Sequence, residues 1–125
     1  MFRVLHVEDN PIYRMVFRDQ FSKFFPTVIF EEATGGDEAL EKIGAAPPQV
    51  IFVDVRLLGM NGLDLTQKIK KLYPNIHIAI LTGYVTPEYR KTAFQCGAER
   101  FFDKDSLQWD ERVAFAKSIG AEADV

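Results

Sequence analysis

Hydrophobic positions along the chain follow two spacings. Runs at 2–7 (FRVLHV), 28–30 (VIF), 50–53 (VIFV), 76–81 (IHIAIL) and 100–102 (RFF) are short and rich in β-branched and aromatic residues, which predicts strands. Between them apolar residues recur three and four apart, as in Phe17, Phe21 and Phe24, in Leu65, Ile69 and Leu72, and in Tyr89, Ala93 and Cys96. That spacing lines one face of a helix. Four helices therefore separate five strands, and a last amphipathic stretch at 110–119 completes a (βα)₅ unit.

Boundary residues support the same division. Asn10-Pro11 and Thr86-Pro87 each read as a capping side chain followed by proline at the first helical position, where its missing N–H costs nothing. Pro26, Pro47-Pro48 and Pro74 stop the first three helices, and Gly97 ends the fourth at a left-handed cap. Strands alternating with helices predict a parallel sheet covered on both faces and joined by right-handed crossovers. The 125 residues suit a single domain spanning 1–125, with no internal repeat, linker or low-complexity segment.

Composition narrows the function. The hydrophobic fraction of 47% and charged fraction of 26% belong to a globular chain, and a net charge of -3 with scattered cations gives no basic stripe for nucleic acid. Cys96 is the single cysteine, so no internal disulfide can form. No cationic-then-apolar leader and no apolar run of membrane-spanning length is present, which sets the expectation of a reducing cytoplasm without membrane contact.

The chemistry lies just past the strand candidates: Glu8 and Asp9, then Asp54, then Lys104. In a parallel sheet those ends converge on one rim, where ligands bind. Hard carboxylate oxygens gathered there suit Mg²⁺, which commonly pairs one or two carboxylates with phosphate oxygens.

With Glu8-Asp9, the DVRLLGMNG run that opens on Asp54, the LTG run carrying Thr82, and Lys104 in RFFDKDS, nearly the whole chain closely resembles the receiver domain of two-component response regulators. Each motif alone is weak; their order and spacing are specific. The resemblance implies a flavodoxin-like, doubly wound sheet of order 2-1-3-4-5 and assigns roles to positions of this chain. Asp54 would be the phosphoacceptor, attacking a phosphohistidine of a sensor histidine kinase or histidine phosphotransfer protein. Asp9, Asp54 and the Arg56 backbone carbonyl would bind Mg²⁺, with Glu8 acting mainly through a metal-bound water. Lys104 would supply an ammonium and Thr82 a hydroxyl to the phosphoryl oxygens. Thr82 and Phe101 would form the switch, reshaping the face of the fourth helix, fifth strand and fifth helix for a downstream effector protein or a fused output domain. Gly83, Tyr84 and Arg56 would be accessory; the bulk of Arg56 and Tyr84 would shield the phosphoryl group from water. Such a chain is a signalling switch that catalyses its own phosphorylation and dephosphorylation, not an enzyme acting on others.

Three departures from the family pattern matter. Phe101 stands where tyrosine is commoner, so a readable hydroxyl is absent. Leu58 replaces a usual proline, although Gly62 is in place. Asp105 follows Lys104 where the family usually has proline after a cis bond, and a cis bond before a non-proline residue costs about 2.5–4 kcal/mol, which leaves that peptide's geometry open. His6 and His77 sit within apolar strand patterns and read as structural, Cys96 as a small core residue, and Trp109 as an anchor for the last helix. Phe17, Phe21, Phe24 and Phe25 exceed one narrow helical stripe, so part of that set is expected on a partner surface. Two other classes compete: a receiver-like module that binds partners without phosphorylation, and an aspartyl-phosphate phosphatase. Arg56 weakens the latter by occupying the second acid position of a D-x-D pattern.

Overall fold

The alternation is realised in full in the computed structural model, which describes residues 1–106 and 109–123. In chain order the elements are β1 (Arg3–Val7), α1 (Pro11–Phe24), β2 (Ile29–Ala33), α2 (Gly36–Ala45), β3 (Val50–Asp54), α3 (Gly62–Leu72), β4 (His77–Thr82), α4 (Pro87–Gln95), β5 (Arg100–Asp103) and α5 (Asp110–Ile119). The five strands pair in parallel in the order β2-β1-β3-β4-β5, so the direction of winding reverses between β1 and β3.

Each face of the sheet has its own core. Val50 and Phe52 of β3 pack with Phe17, Phe21 and Phe115 beneath α1 and α5, whereas Ile51 and Val53 pack with Ile43, Leu65, Ile69 and Ala93 beneath α2, α3 and α4. A strand covered on both faces reads as a continuous apolar run, which is why VIFV gave so clear a signal. The two predicted caps form: Asn10 Oδ1 accepts from the N–H groups of Ile12 (2.9 Å) and Tyr13 (3.1 Å), and Thr86 Oγ1 accepts from Tyr89 (3.2 Å). Gly97 adopts φ +107°, the left-handed turn that favours glycine.

Three sequence expectations change. β2 continues through Glu31, Glu32 and Ala33, because Arg3 pairs with Glu31 (3.0 Å) and Arg18 with Glu32 (3.1 Å) along this edge strand. Leu72 is largely exposed and does not share the core face of Leu65 and Ile69. The phenylalanines at 17, 21, 24 and 25 turn to the core rather than forming an exposed apolar patch. Phe17, Phe21 and Phe25 are buried, and Phe24 packs against the same core with its ring stacked on Trp109. The exposed apolar side chains of α1 are instead Ile12, Met15 and Val16. Trp109 does anchor α5, with its ring 4.9 Å from that of Phe17.

Candidate functional site

The register of the sheet brings the strand ends to one rim. Val7 lies opposite Val53, Asp54 opposite Leu81, and Thr82 opposite Asp103, so Glu8-Asp9, Asp54, Thr82 and Lys104 all emerge on the same edge, beside the β1/β3 reversal. The loop after β3 is drawn tight by α3, because the N–H of Gly62 donates to the Val55 carbonyl (2.8 Å).

Three carboxylates converge here. Glu8, Asp9 and Asp54 each offer an oxygen, all within 4.8 Å of one another. Lys104 Nζ lies 2.5 Å from Glu8 Oε1 and 3.3 Å from Asp54 Oδ2. The other Glu8 oxygen accepts the N–H of Asn10 (3.1 Å), which ties this carboxylate to the cap of α1. Glu8 is fully buried, and burial pushes its carboxyl up to about 7; the Lys104 hydrogen bond opposes the rise and the Asp54 charge adds to it. Burial pulls Lys104 down, but the Glu8 bond and the charges of Asp54 and Glu8 outweigh it and hold the ammonium above its ordinary value.

This donor set fits a hard divalent cation. Three carboxylates face a single ammonium, and the surplus negative charge sits on oxygens close enough to share one ion. Both Glu8 oxygens already accept short bonds within the protein and Glu8 is fully buried, whereas Asp54 is held by longer contacts and Asp9 is only partly buried.

Around this centre lies a cleft of about 400 Å³ whose wall includes Asn10, Tyr13, Arg56, Gly83, Tyr84 and Asp105. The Arg56 guanidinium sits 3.8 Å above the centroid of the Tyr84 ring, a cation–π contact across the mouth. The Arg56 N–H reaches Asp54 Oδ1 at 3.4 Å. Thr82 is buried behind the wall, its Oγ1 accepting the Tyr84 N–H (3.0 Å), which leaves the hydroxyl proton able to donate elsewhere. Phe101 is also buried, in the core on the α2, α3 and α4 face of the sheet, and borders a separate cleft of about 190 Å³ between α4, β5 and α5. The Lys104–Asp105 peptide is trans. Asp105 reaches the site with its backbone N–H bonded to Asp103 Oδ1 (2.9 Å), so the short turn after β5 is held by an aspartate rather than by proline.

Two cleft residues were not assigned to the site from the sequence. Asn10 was legible only as a cap, although its N–H also fixes Glu8. Tyr13 carried a weak signal, an aromatic side chain in the first turn of the helix that follows the acidic pair. His77, read as structural, pairs through Nδ1 with Glu99 Oε1 (2.6 Å), remote from the cleft lining. Cys96 caps α4 and packs against the core.

Known proteins resemble this chain in sequence and in fold. The chemotaxis protein CheY of Thermotoga maritima is 33% identical over 102 residues, which cover 82% of this chain and 84% of that protein. The response regulator protein VraR of Staphylococcus saprophyticus is 26% identical over 121 residues, 97% of this chain; those residues span 58% of the relative's length. The crystal structure of the response regulator TrrA of Thermotoga maritima, in complex with Mg(2+)-BeF, superposes with a TM-score of 0.83 at 25% identity, covering 95% of this chain and 99% of that one. Among the described residues no helix is long and apolar enough to cross a membrane. The profile of the response regulator receiver domain matches residues 4–112, and the chain belongs to that family of two-component signalling proteins.

Proposed function

We propose that Asp54 accepts a phosphoryl group from a phosphohistidine of a sensor histidine kinase or histidine phosphotransfer protein, and that the resulting acyl phosphate switches binding to an effector protein or output domain. The observation that carries this reading is the convergence of Asp54 with Asp9, Glu8 and Lys104 on one rim. One Asp54 oxygen forms the bond to phosphorus as the phosphorus–nitrogen bond of the donor breaks, and the electron pair leaves with the imidazole. Mg²⁺, when bound by Asp9, Asp54 and the Arg56 carbonyl, offsets charge on the phosphoryl oxygens. Lys104 directs an N–H donor at those oxygens, and Thr82 donates its hydroxyl proton once the group is in place. That last contact is gained only in the phosphorylated state, which biases the β4–α4 loop, with Phe101 behind it, toward the conformation that partners read. In this role the protein is a self-modifying switch of the cytoplasm that contacts neither nucleic acid nor membrane directly.

Incubation with a small phosphodonor, with and without Mg²⁺, is expected to give a metal-dependent, acid-stable and base-labile adduct that maps to Asp54 and is absent from Asp54→Asn. Failure to label with every donor would favour a partner-binding module that works without phosphorylation, and sustained multiple-turnover release of phosphate would favour a phosphatase.

Arg56 and Tyr84 then control how long the adduct lasts. Arg56 lies 3.8 Å over the Tyr84 ring and both line the cleft that holds Asp54, which supports a place for them on the approach of water to phosphorus. A partly exposed cation–π pair is worth about 0.5–1 kcal/mol, so its loss opens the approach by roughly two- to fivefold. Replacing both by alanine should speed dephosphorylation by that factor in a phosphate-release assay; an unchanged or slower rate rejects the shield.

A further inference from the structure

Lys104 is held on three sides, and only two of them belong to the phosphoacceptor chemistry. Glu8 and Asp54 provide the first two. The third is Tyr13, whose ring centroid lies 4.3 Å from Nζ. The ring cannot drift far. Its residue sits in the first turn of α1 with its N–H bonded to Asn10 Oδ1, and behind it the ring lies 6.0 Å, edge-on, from His6 and 6.3 Å from Phe17, both fully buried.

A lysine ammonium is a compact charge on a flexible four-carbon stem, so its position must be imposed from outside. A carboxylate imposes it by consuming an N–H donor. An aromatic face does so through its quadrupole, without adding a further negative charge to the site. Of the three N–H groups on Lys104, one points to Glu8 and one to Asp54, and the Tyr13 ring adds a third restraint that needs no oxygen acceptor.

We infer that Tyr13 is a positioning residue for phosphoryl transfer, its ring face seating the Lys104 ammonium beside Asp54. This deepens the proposed roles of Asp54 and Lys104 and rests on them. This role asks for the aromatic face and makes no demand on the hydroxyl.

The test compares Tyr13→Phe with two non-aromatic fillers, Tyr13→Leu and Tyr13→Met, in protein carrying ¹³C-labelled lysine, with Lys104→Arg used to assign the resonance. In wild type and Tyr13→Phe, the ring current should displace the Lys104 Hε protons upfield. In both fillers the signal should return to the ordinary lysine position while the melting curve stays cooperative. Labelling by a small phosphodonor with Mg²⁺ should slow about tenfold in the fillers and stay near wild type in Tyr13→Phe. Fillers that label at the wild-type rate, or a Tyr13→Phe that slows as much as they do, overturn the seat. A wild type that takes no label overturns the phosphoacceptor reading and this role with it, whereas a labelled wild type with unaltered fillers overturns this role alone. Should one filler fail to fold, the other decides.

Discussion

Gly62→Ala will both destabilise the protein and disable Asp54, although residue 62 carries no functional group. A Cβ built at Gly62 would lie 1.9 Å from the Asp54 carbonyl oxygen, 2.8 Å from its carbonyl carbon and 2.9 Å from Val55 Cα. All three are backbone atoms, so no side-chain rotation relieves the overlap; either α3 retreats or the end of β3 moves. Overpacking of this kind costs about 3 kcal/mol or more, which in a domain of this size lowers the melting temperature by on the order of 10 °C. Two of the three atoms belong to the phosphoacceptor itself, and misplacing a reacting group by about 1 Å can slow chemistry on the order of 100-fold. Gly44→Ala is the matched control. A Cβ there meets only the Tyr73 hydroxyl at 3.8 Å, inside α2, where alanine is favoured over glycine by up to about 1 kcal/mol. Thermal melts and labelling rates of the two variants decide the matter; a Gly62→Ala protein that melts and labels like wild type would show that the close approach of α3 does not hold Asp54 in place.

The contrast between these glycines shows which features were legible in the sequence. Periodicity and punctuation revealed ten elements in the right order, because each depends on neighbours in the chain: a buried central strand must be apolar throughout, and a cap lies beside its helix. Features that depend on distant segments were hidden. Glu31 and Glu32 fall outside the apolar run at 28–30, and they belong to β2 with Arg3 and Arg18, from β1 and α1, as partners. The phenylalanines of α1 seemed too many for one helix face, but β2, β3 and α5 surround that helix closely enough to take them.

The acids and the lysine were legible as a set because the strand ends of a parallel sheet must meet at one rim. Their mutual distances were not. That Lys104 lies closer to Glu8 than to Asp54, and that Tyr13 lies against its ammonium, depends on how the first turn of α1 meets the turn after β5, and neither leaves a mark on spacing. The geometry of the Lys104–Asp105 peptide was open for the same reason, since the Asp103 carboxylate that pins the turn lies within a motif usually read for its lysine alone.

His6 will make the protein acid-sensitive by an amount that one substitution removes. Its ring is fully buried and stacked on Phe17 at 4.1 Å, and neither ring nitrogen has a hydrogen-bond partner among the described residues. Burial first, then the charges of Lys104 and Arg14, lower its pKa from 6.5 to about 3. Between those values the unfolded chain binds a proton at residue 6 that the folded chain refuses, so stability falls as pH drops through 6.5 and stops falling near 3. The slope approaches 1.36 kcal/mol per pH unit, which amounts to on the order of 3 kcal/mol by pH 4. Glu8 acts in the opposite sense. Its folded-state carboxyl is raised to about 7, so between there and its ordinary value of 4.5 the folded protein binds the extra proton and gains stability as pH falls. A single stability–pH curve therefore mixes the two, whereas the difference between wild type and His6→Leu isolates the histidine, because Glu8 is common to both. Urea midpoints of the metal-free proteins from pH 7.5 to 4 should diverge steadily in favour of His6→Leu below pH 6.5. At neutral pH the variant should match or slightly exceed wild type, since it replaces a buried polar ring lacking a partner with an apolar side chain. Parallel curves across that range would mean that water or a rearranged neighbour satisfies the imidazolium in the folded state, and that the aromatic packing around α1 is looser than its ring distances indicate.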